Sequence, residues 1–176
     1  IIYLSVYGVK TDKFNRLINN KVKDYNPKLT LRTENVYIKL NLSESAIKIN
    51  TKNAKLIAEF NTIKISNINI NLDLIKFLKN ESSIKNLNIK SSSNLITDVT
   101  SFLNTIDYNL SRYILYSQIK EGLLNFEYDA KLDSTNPEDL SYSISGYVSN
   151  AKLNIPGQES LKDINFNFET QDKITK

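Results

Sequence analysis

The sequence predicts a mainly β protein with a few helices, an α+β chain built on a curled antiparallel sheet or β-groove. Three observations lead there. From Val36 to Leu72 apolar and polar residues alternate almost without a break, through Val36, Ile38, Leu40 and Leu42, then Ile47 and Ile49, Ala54, Leu56, Ala58 and Phe60, Ile63 and Ile65, and Ile68, Ile70 and Leu72. Strand side chains point to opposite faces with a period of two, so each run has one apolar and one polar face. The same beat resumes after Gly122, in Leu124, Phe126, Tyr128, Ala130 and Leu132, then Tyr142, Ile144, Gly146 and Val148, and last Ile164, Phe166 and Phe168. Two stretches change to helical spacing: Phe14, Leu17, Ile18 and Val22 form one, and Val99, Phe102, Leu103, Ile106, Leu110, Tyr113 and Ile114 the other.

Taken in order, Ile1–Val9 is apolar and uncharged, with Tyr3 and Tyr7 suited to a membrane interface and Lys10 to its polar side. It reads as the last turns of a transmembrane anchor, the alternative being an ordinary first strand. The chain has no Met, even at position 1, and so reads as a piece of a longer polypeptide. Thr11-Asp12 supplies a helix start, and Pro27 pushes Asn26 out of helical geometry and closes a short amphipathic helix. That helix suits either a head-group layer or the end of a sheet. In the next strand the apolar beat slips from odd positions (Leu29, Leu31) to even ones (Val36 onward), which predicts a break or bulge near Thr33–Asn35. Asp73–Lys79 reads as a short helical turn and Ile84–Lys90 as strand. A longer helix is predicted over Leu95–Lys120, with Asp98 in its first turn. A polar loop, Asp133–Asp139, separates two of the later strands, and Pro156-Gly157 is a turn. An apolar–polar–Asn/Asp–apolar–Asn–apolar phrase recurs at Ile65–Ile70, Ile84–Ile89 and Leu161–Phe166, a hint of repetitive β architecture.

Composition narrows the chemistry. A chain of 176 residues is long enough for one domain with a real core. Without Cys or His it has no disulfide, no thiolate metal site, and neither the commonest general base nor the commonest metal ligand. The net charge of +4 comes mostly from scattered Lys, whereas nucleic-acid binders concentrate charge and use Arg. Lys39, Lys48, Lys55 and Lys64 fall on the polar beat of strands, where they solvate the sheet. No nucleophile motif, glycine-rich phosphate loop or metal spacing is present. Glu127, Asp129, Asp133, Glu138 and Asp139 form the densest carboxylate group, yet Glu127 and Asp129 lie on the solvated beat opposite Phe126 and Tyr128. The Tyr residues suit strands and interfaces as readily as a stacking platform. The expectation is a protein that is not an enzyme, with no cofactor, no metal and no nucleic-acid partner.

Several segments together resemble the start of the AsmA-like family of bacterial envelope proteins, which is related in design to the chorein-type bridge lipid carriers. The similar stretch runs Asn53-Ala-Lys-Leu56, Ile63-Lys-Ile-Ser-Asn-Ile-Asn-Ile70, Asp73-Leu-Ile-Lys-Phe-Leu78 and Ile84-Lys-Asn-Leu-Asn-Ile89. It matches the family's strand, short helical turn and restated apolar phrase. Ile119-Lys-Glu-Gly-Leu-Leu-Asn-Phe-Glu-Tyr-Asp129 is similar to its passage from a long helix into a Gly-started strand. The Pro often found ahead of the early strand is represented only by Pro27. The resemblance implies residues 1–9 as the end of an inner-membrane anchor, and residues 10–176 as the first part of a periplasmic β-groove domain that continues past 176. It further implies a single-pass protein of the bacterial inner membrane that takes part in phospholipid transport between inner and outer membranes and in outer-membrane maintenance.

A one-sided apolar sheet must be covered by another sheet, by helices or by a ligand. Acyl chains would supply that cover in a groove, at ~0.8 kcal/mol per methylene buried. The groove residues expected from the alternation are Val36, Ile38, Leu40, Leu42, Ile47, Ile49, Leu56, Ile63, Ile65, Ile68 and Ile70. The expected partners are phospholipid acyl chains, the inner membrane through the N-terminus, and outer-membrane or other envelope proteins. The helix 95–120 would cap or gate the groove. Two alternatives fit the same residues: an assembly or chaperone factor for outer-membrane proteins acting by strand addition, and a soluble β-rich binding domain.

Overall fold

A computed structural model describes residues 7–11, 13–79, 84–108, 110, 113, 117–132 and 140–174. The alternating segments become the strands β1 (Val9–Thr11), β2 (Leu29–Arg32), β3 (Asn35–Asn41), β4 (Ala46–Ala58), β5 (Asn61–Asp73), β6 (Ile84–Ser91), β7 (Asn94–Leu95), β8 (Ile119–Leu132), β9 (Leu140–Leu153) and β10 (Leu161–Ile174). Helices interrupt them, among them α1 (Lys13–Tyr25), α2 (Leu74–Leu78) and α3 (Ile96–Ile106). All ten strands join one open antiparallel sheet in the order β1-β3-β4-β5-β6-β8-β9-β10, with β2 added to β4 and β7 to β8. The predicted mainly β, antiparallel character with few helices is what the chain adopts.

The register shows why one face stays apolar across so many strands. Ile38 faces Ile49, which faces Ile70, then Leu87, Ala130 and Tyr142. One rung along, Thr51, Ile68, Ile89, Tyr128 and Ile144 continue the row from Val36. The opposite face carries Tyr37, Asn50, Asn69, Asn88, Asp129 and Ser143 in the same cross-strand order. Cross-strand neighbours of like polarity stabilise each rung.

The predicted slip between Leu31 and Val36 proves to be part of a crease crossing several strands. β2 and β3 pair with the same edge of β4 in one continuous register, Arg32 opposite Lys55 and Asn35 opposite Lys52. At the same level β4 switches its apolar beat from Thr51 to Ala54 through Asn53, whose φ is 54°. β5 switches there too, from Ile65 to Ile68, and its ladder with β6 shifts between Ile65 and Asn67. A left-handed residue turns the following side chain onto the other face, and Asn tolerates that conformation better than a branched residue. Because the slips are aligned, the apolar face remains one face on both sides of the crease. A second crease crosses β8, β9 and β10 at Gly122 (φ 130°), Asn150 (φ 52°) and Asp163 (φ 56°).

Where the β5–β6 ladder stops at the first crease, the Asn94 side chain carries the contact with β5 onward. That buried side chain accepts from the Lys64 N–H at 2.7 Å and donates to the Lys64 carbonyl at 3.0 Å and the Ser92 carbonyl at 2.7 Å. The amide thus takes the place of a paired backbone unit. Asn94→Ala strands the Lys64 N–H, while the Lys64 carbonyl keeps the Ser92 N–H at 3.0 Å, and urea melts are expected to show a loss of about 1–3 kcal/mol; an unchanged midpoint would mean that water replaces the amide without penalty.

Helices cover the apolar face in two places. Ile18 of α1 packs on Val36, Ile38 and Ile49, with Ile47, Ile70 and Leu72 around them. α1 also shields the outer edge of β2: the Leu31 N–H donates to Asn19 Oδ1 at 2.9 Å, and Asn15 Nδ2 donates to the Thr33 carbonyl at 3.1 Å. α3 packs Val99 and Phe102 into the main core, with Ala54, Ala58, Ile63, Ile65 and Ile68. Ile96 enters a third cluster with Val148 and Ala151.

Two expected boundaries are corrected. The long helix expected over Leu95–Lys120 is interrupted: its first part is Ile96–Ile106, capped at Asp107, and beyond it the described residues Leu110, Tyr113 and Ser117 are again helical. Leu95 belongs to β7, and Ile119 and Lys120 open β8 because Ile119 pairs with Leu153. Val9, expected at the end of the anchor, is a strand residue opposite Ile38. Tyr7 of the expected anchor is an exposed turn residue and Gly8 leads into β1, while its residues 1–6 and the polar loop 133–139 lie outside the described residues.

Candidate functional site

The polar face is a ladder of amides. Asn50 donates to Asn67 at 2.7 Å and also to Asn69, Asn69 donates to Asn88 at 3.3 Å, and Asn88 donates to Glu127 at 2.6 Å and Asp129 at 2.8 Å. Lys90 adds an ion pair to Glu127 at 3.1 Å. The Asn88 amide first, and then Lys90, hold the Glu127 carboxyl below the ordinary carboxylate range against the opposing effect of burial. The stabilisation this provides is present above the ordinary carboxylate pKa and fades as pH falls through the lowered one. Glu127 and Asp129 therefore act as acceptors that end an amide ladder. Asp133, Glu138 and Asp139 of the same acidic group lie outside the described residues. Shallow hollows run along this face, of about 650 Å³ beside Lys90 and Glu127 and about 460 Å³ beside Tyr37 and Asn50.

The eleven residues expected to line a groove do share one face, apart from Leu42. Val36, Ile38 and Ile49 lie buried in the cluster that Ile18 of α1 joins. Ile63, Ile65 and Ile68 are buried in the core with Val99 and Phe102, and Leu56 and Ile70 pack against it. Leu40 and Ile47 are half-buried, and Leu42 sits exposed in the β3–β4 turn. In this region protein side chains already supply the cover.

The opening lies farther along the sheet, between α3 and the ends of β8, β9 and β10. There a cleft of about 370 Å³ is lined by Ile96, Val99 and Leu103 of α3 and, on the sheet, by Ile119, Leu124, Val148, Ala151, Leu153, Ile164, Phe166 and Phe168, with Thr100 and Lys152 as its polar members. The second crease shapes it. Gly122 brings the β8 backbone so close that a Cβ there would meet Ile96 Cδ1 at 2.8 Å and the Ala151 backbone at 3.0 Å. Leu103 (40 % exposed) and Phe166 (46 % exposed) stand at its margin, still in contact with solvent. Lys152 points its ammonium to Glu121 at 3.3 Å while its stem borders the cleft.

None of these lining residues is among the eleven expected from the alternation. Their signal in the sequence is the beat of β9 and β10, Val148 and then Ile164, Phe166 and Phe168, together with the α3 stripe. Among the described residues no cluster of three metal-ligating side chains occurs, and no helix is long and apolar enough to cross a membrane. Compared with known protein families, with characterised proteins and with solved structures, the chain matches none of them.

Proposed function

We propose that this protein binds the hydrocarbon chain of a lipid in the cleft between α3 and β8–β10, as a non-enzymatic carrier in phospholipid transport at a bacterial envelope. The supporting observation is the cleft itself: an apolar lining on four elements, open to solvent, with a lysine at its border. Its volume sits at the low end of the ~300–1,000 Å³ typical of ligand sites, the scale of one chain rather than a whole phospholipid. In this reading α3 is the wall that closes most of the curled sheet and leaves one stretch of groove accessible. The periplasmic setting, the anchor to the inner membrane and the link to the outer membrane come from the AsmA-like resemblance.

The test is lipid retention. Protein incubated with a fluorescent fatty acid and then gel-filtered is expected to keep the probe. Leu103→Asp and Phe166→Asp are expected to weaken binding at least tenfold with unchanged thermal midpoints, since a carboxylate facing hydrocarbon costs more than the ~1.4 kcal/mol that a factor of ten represents. Retention unaffected by either substitution would remove the cleft from consideration.

One observation favours the reading as an assembly factor. β10 runs from Leu161 to Ile174, pairs among the described residues only with β9, and is exposed along most of its length. A strand edge of that length is a template for strand addition. A photo-crosslinker at Asn167 that captures polypeptide, with no lipid retained in the cleft, would select this reading over the first.

A further inference from the structure

At the end of the sheet formed by the β3–β4 turn and α2, large apolar side chains project together into solvent. On α2, Ile75, Phe77 and Leu78 are 57 %, 44 % and 72 % exposed. Leu42 in the turn and Ile84 at the start of β6 are also exposed. The turn and the helix are joined, since the Leu74 N–H donates to the Ser45 carbonyl at 2.9 Å. Ile84 stands opposite Leu72, two residues before the helix. The five therefore form one patch.

α2 buries none of its residues, so core packing does not explain it. Polar contacts hold it in place instead. Asp73 accepts from the N–H groups of Ile75 at 2.9 Å and Lys76 at 3.0 Å, and Lys85 pairs with the same carboxylate at 3.2 Å. A helix built to display Ile, Phe and Leu outward has an interaction surface as its simplest use.

We infer that this tip docks on an anionic lipid bilayer. Two features choose that occupant. The described charges around the patch are net positive: Lys48 pairs with Glu44 at 2.9 Å and Lys85 with Asp73 at 3.2 Å, and Lys76 and Lys79 of the helix and its cap add two further positive charges. Amphipathic elements that insert apolar side chains below a rim of lysines bind anionic head groups in this manner. The patch also projects outward on a short helix and a turn, a shape that a fluid interface accommodates. The inference stands apart from the cleft, which lies beyond the first crease, straddles the second, and shares no residue with the patch.

The protein contains no Trp, so a Phe77→Trp variant carries a single reporter. Added phosphatidylcholine vesicles containing phosphatidylglycerol are expected to shift its emission to the blue, and brominated lipid to quench it. Phe77→Asp and Leu78→Asp are expected to lower vesicle co-sedimentation at least tenfold, while thermal midpoint and fatty-acid retention in the cleft stay as before. Phe60, 97 % exposed at the tip of the β4–β5 hairpin, is the control. It lies about 40 Å from α2 at ~3.3 Å per strand residue, and Phe60→Asp is expected to leave vesicle binding intact. An unshifted Phe77→Trp spectrum, an equal loss from Phe60→Asp, or a Leu78-dependent dimer without vesicle binding would each overturn the inference. Loss of fatty-acid retention with vesicle binding intact would count against the cleft alone.

Discussion

Phe102→Ala is expected to remove about 3–5 kcal/mol of stability, enough to leave a marginal domain partly unfolded. Phe102 is 3 % exposed and enters the main core with Val99, Ala54, Ala58, Ile63, Ile65 and Ile68. Small residues at 54 and 58 leave room on β4, and the ring fills it. Truncation therefore leaves a cavity walled by rigid strands, which cannot collapse as a loop would. The consequence for the cleft is specific. Phe102 and Val99 fasten α3 to the sheet, whereas Leu103 on the same helix faces the cleft. Phe102→Ala should lower the urea midpoint and reduce lipid retention together, while Phe102→Leu recovers most of both. Leu103→Asp should reduce retention alone. If Phe102→Ala melts like the parent, α3 does not hold the closed half of the sheet.

The alternation from Val36 to Leu72 was legible because period two is a local property of each strand. The slip at Thr33–Asn35 was visible for the same reason, since Leu31 and Val36 differ in parity. That slips in neighbouring strands share a level was not legible. Their alignment depends on register, Lys52 opposite both Asn35 and Asn67, and register is a pairing between distant segments. The overextended helix has a related cause. Residues at helical spacing continue to Ile114, but Ile119 is claimed by Leu153 in the sheet, a tertiary choice that overrides local pattern. Most of the expected groove residues lie under the chain's own helices for a reason of principle. The longest apolar run announces a face that must be buried, and the chain's own helices bury it first. The accessible part falls where the cover ends, at Leu103 and Phe166, which alternation alone does not distinguish from core. Asn94 was unreadable too, because one Asn among many carries no sign that its amide replaces a strand pair.

Gly146→Val is the second large effect, and it tests the fold where the cleft meets β10. Gly146 sits in β9 between Phe126 of β8 and Phe168 of β10, directly opposite both. A Cβ at this position would run into the Phe168 ring and approach the Asn125 carbonyl to 2.6 Å. The ring can swing aside, but the backbone oxygen cannot, so the substitution must part β8 from β9 or expel Phe168 from the sheet. An aromatic ring lying over a strand glycine covers backbone that the missing side chain leaves bare, and that cover is lost as well. Overpacking against backbone costs roughly 1–3 kcal/mol and more where strands must separate. Gly146→Val is thus expected to lose about 3 kcal/mol, with the loss concentrated in β9 and β10. Hydrogen exchange should show it as lost protection at Ile144, Val148 and Phe168 while β4 and β5 stay protected. Because Phe168 lines the cleft, lipid retention should fall in the same variant. Gly146→Ala with Phe168→Leu relieves the ring contact but not the carbonyl contact, and should recover only part of the loss. Full recovery by that pair would place the whole strain in the ring, and would mean that β8 and β9 can part at Asn125 without penalty.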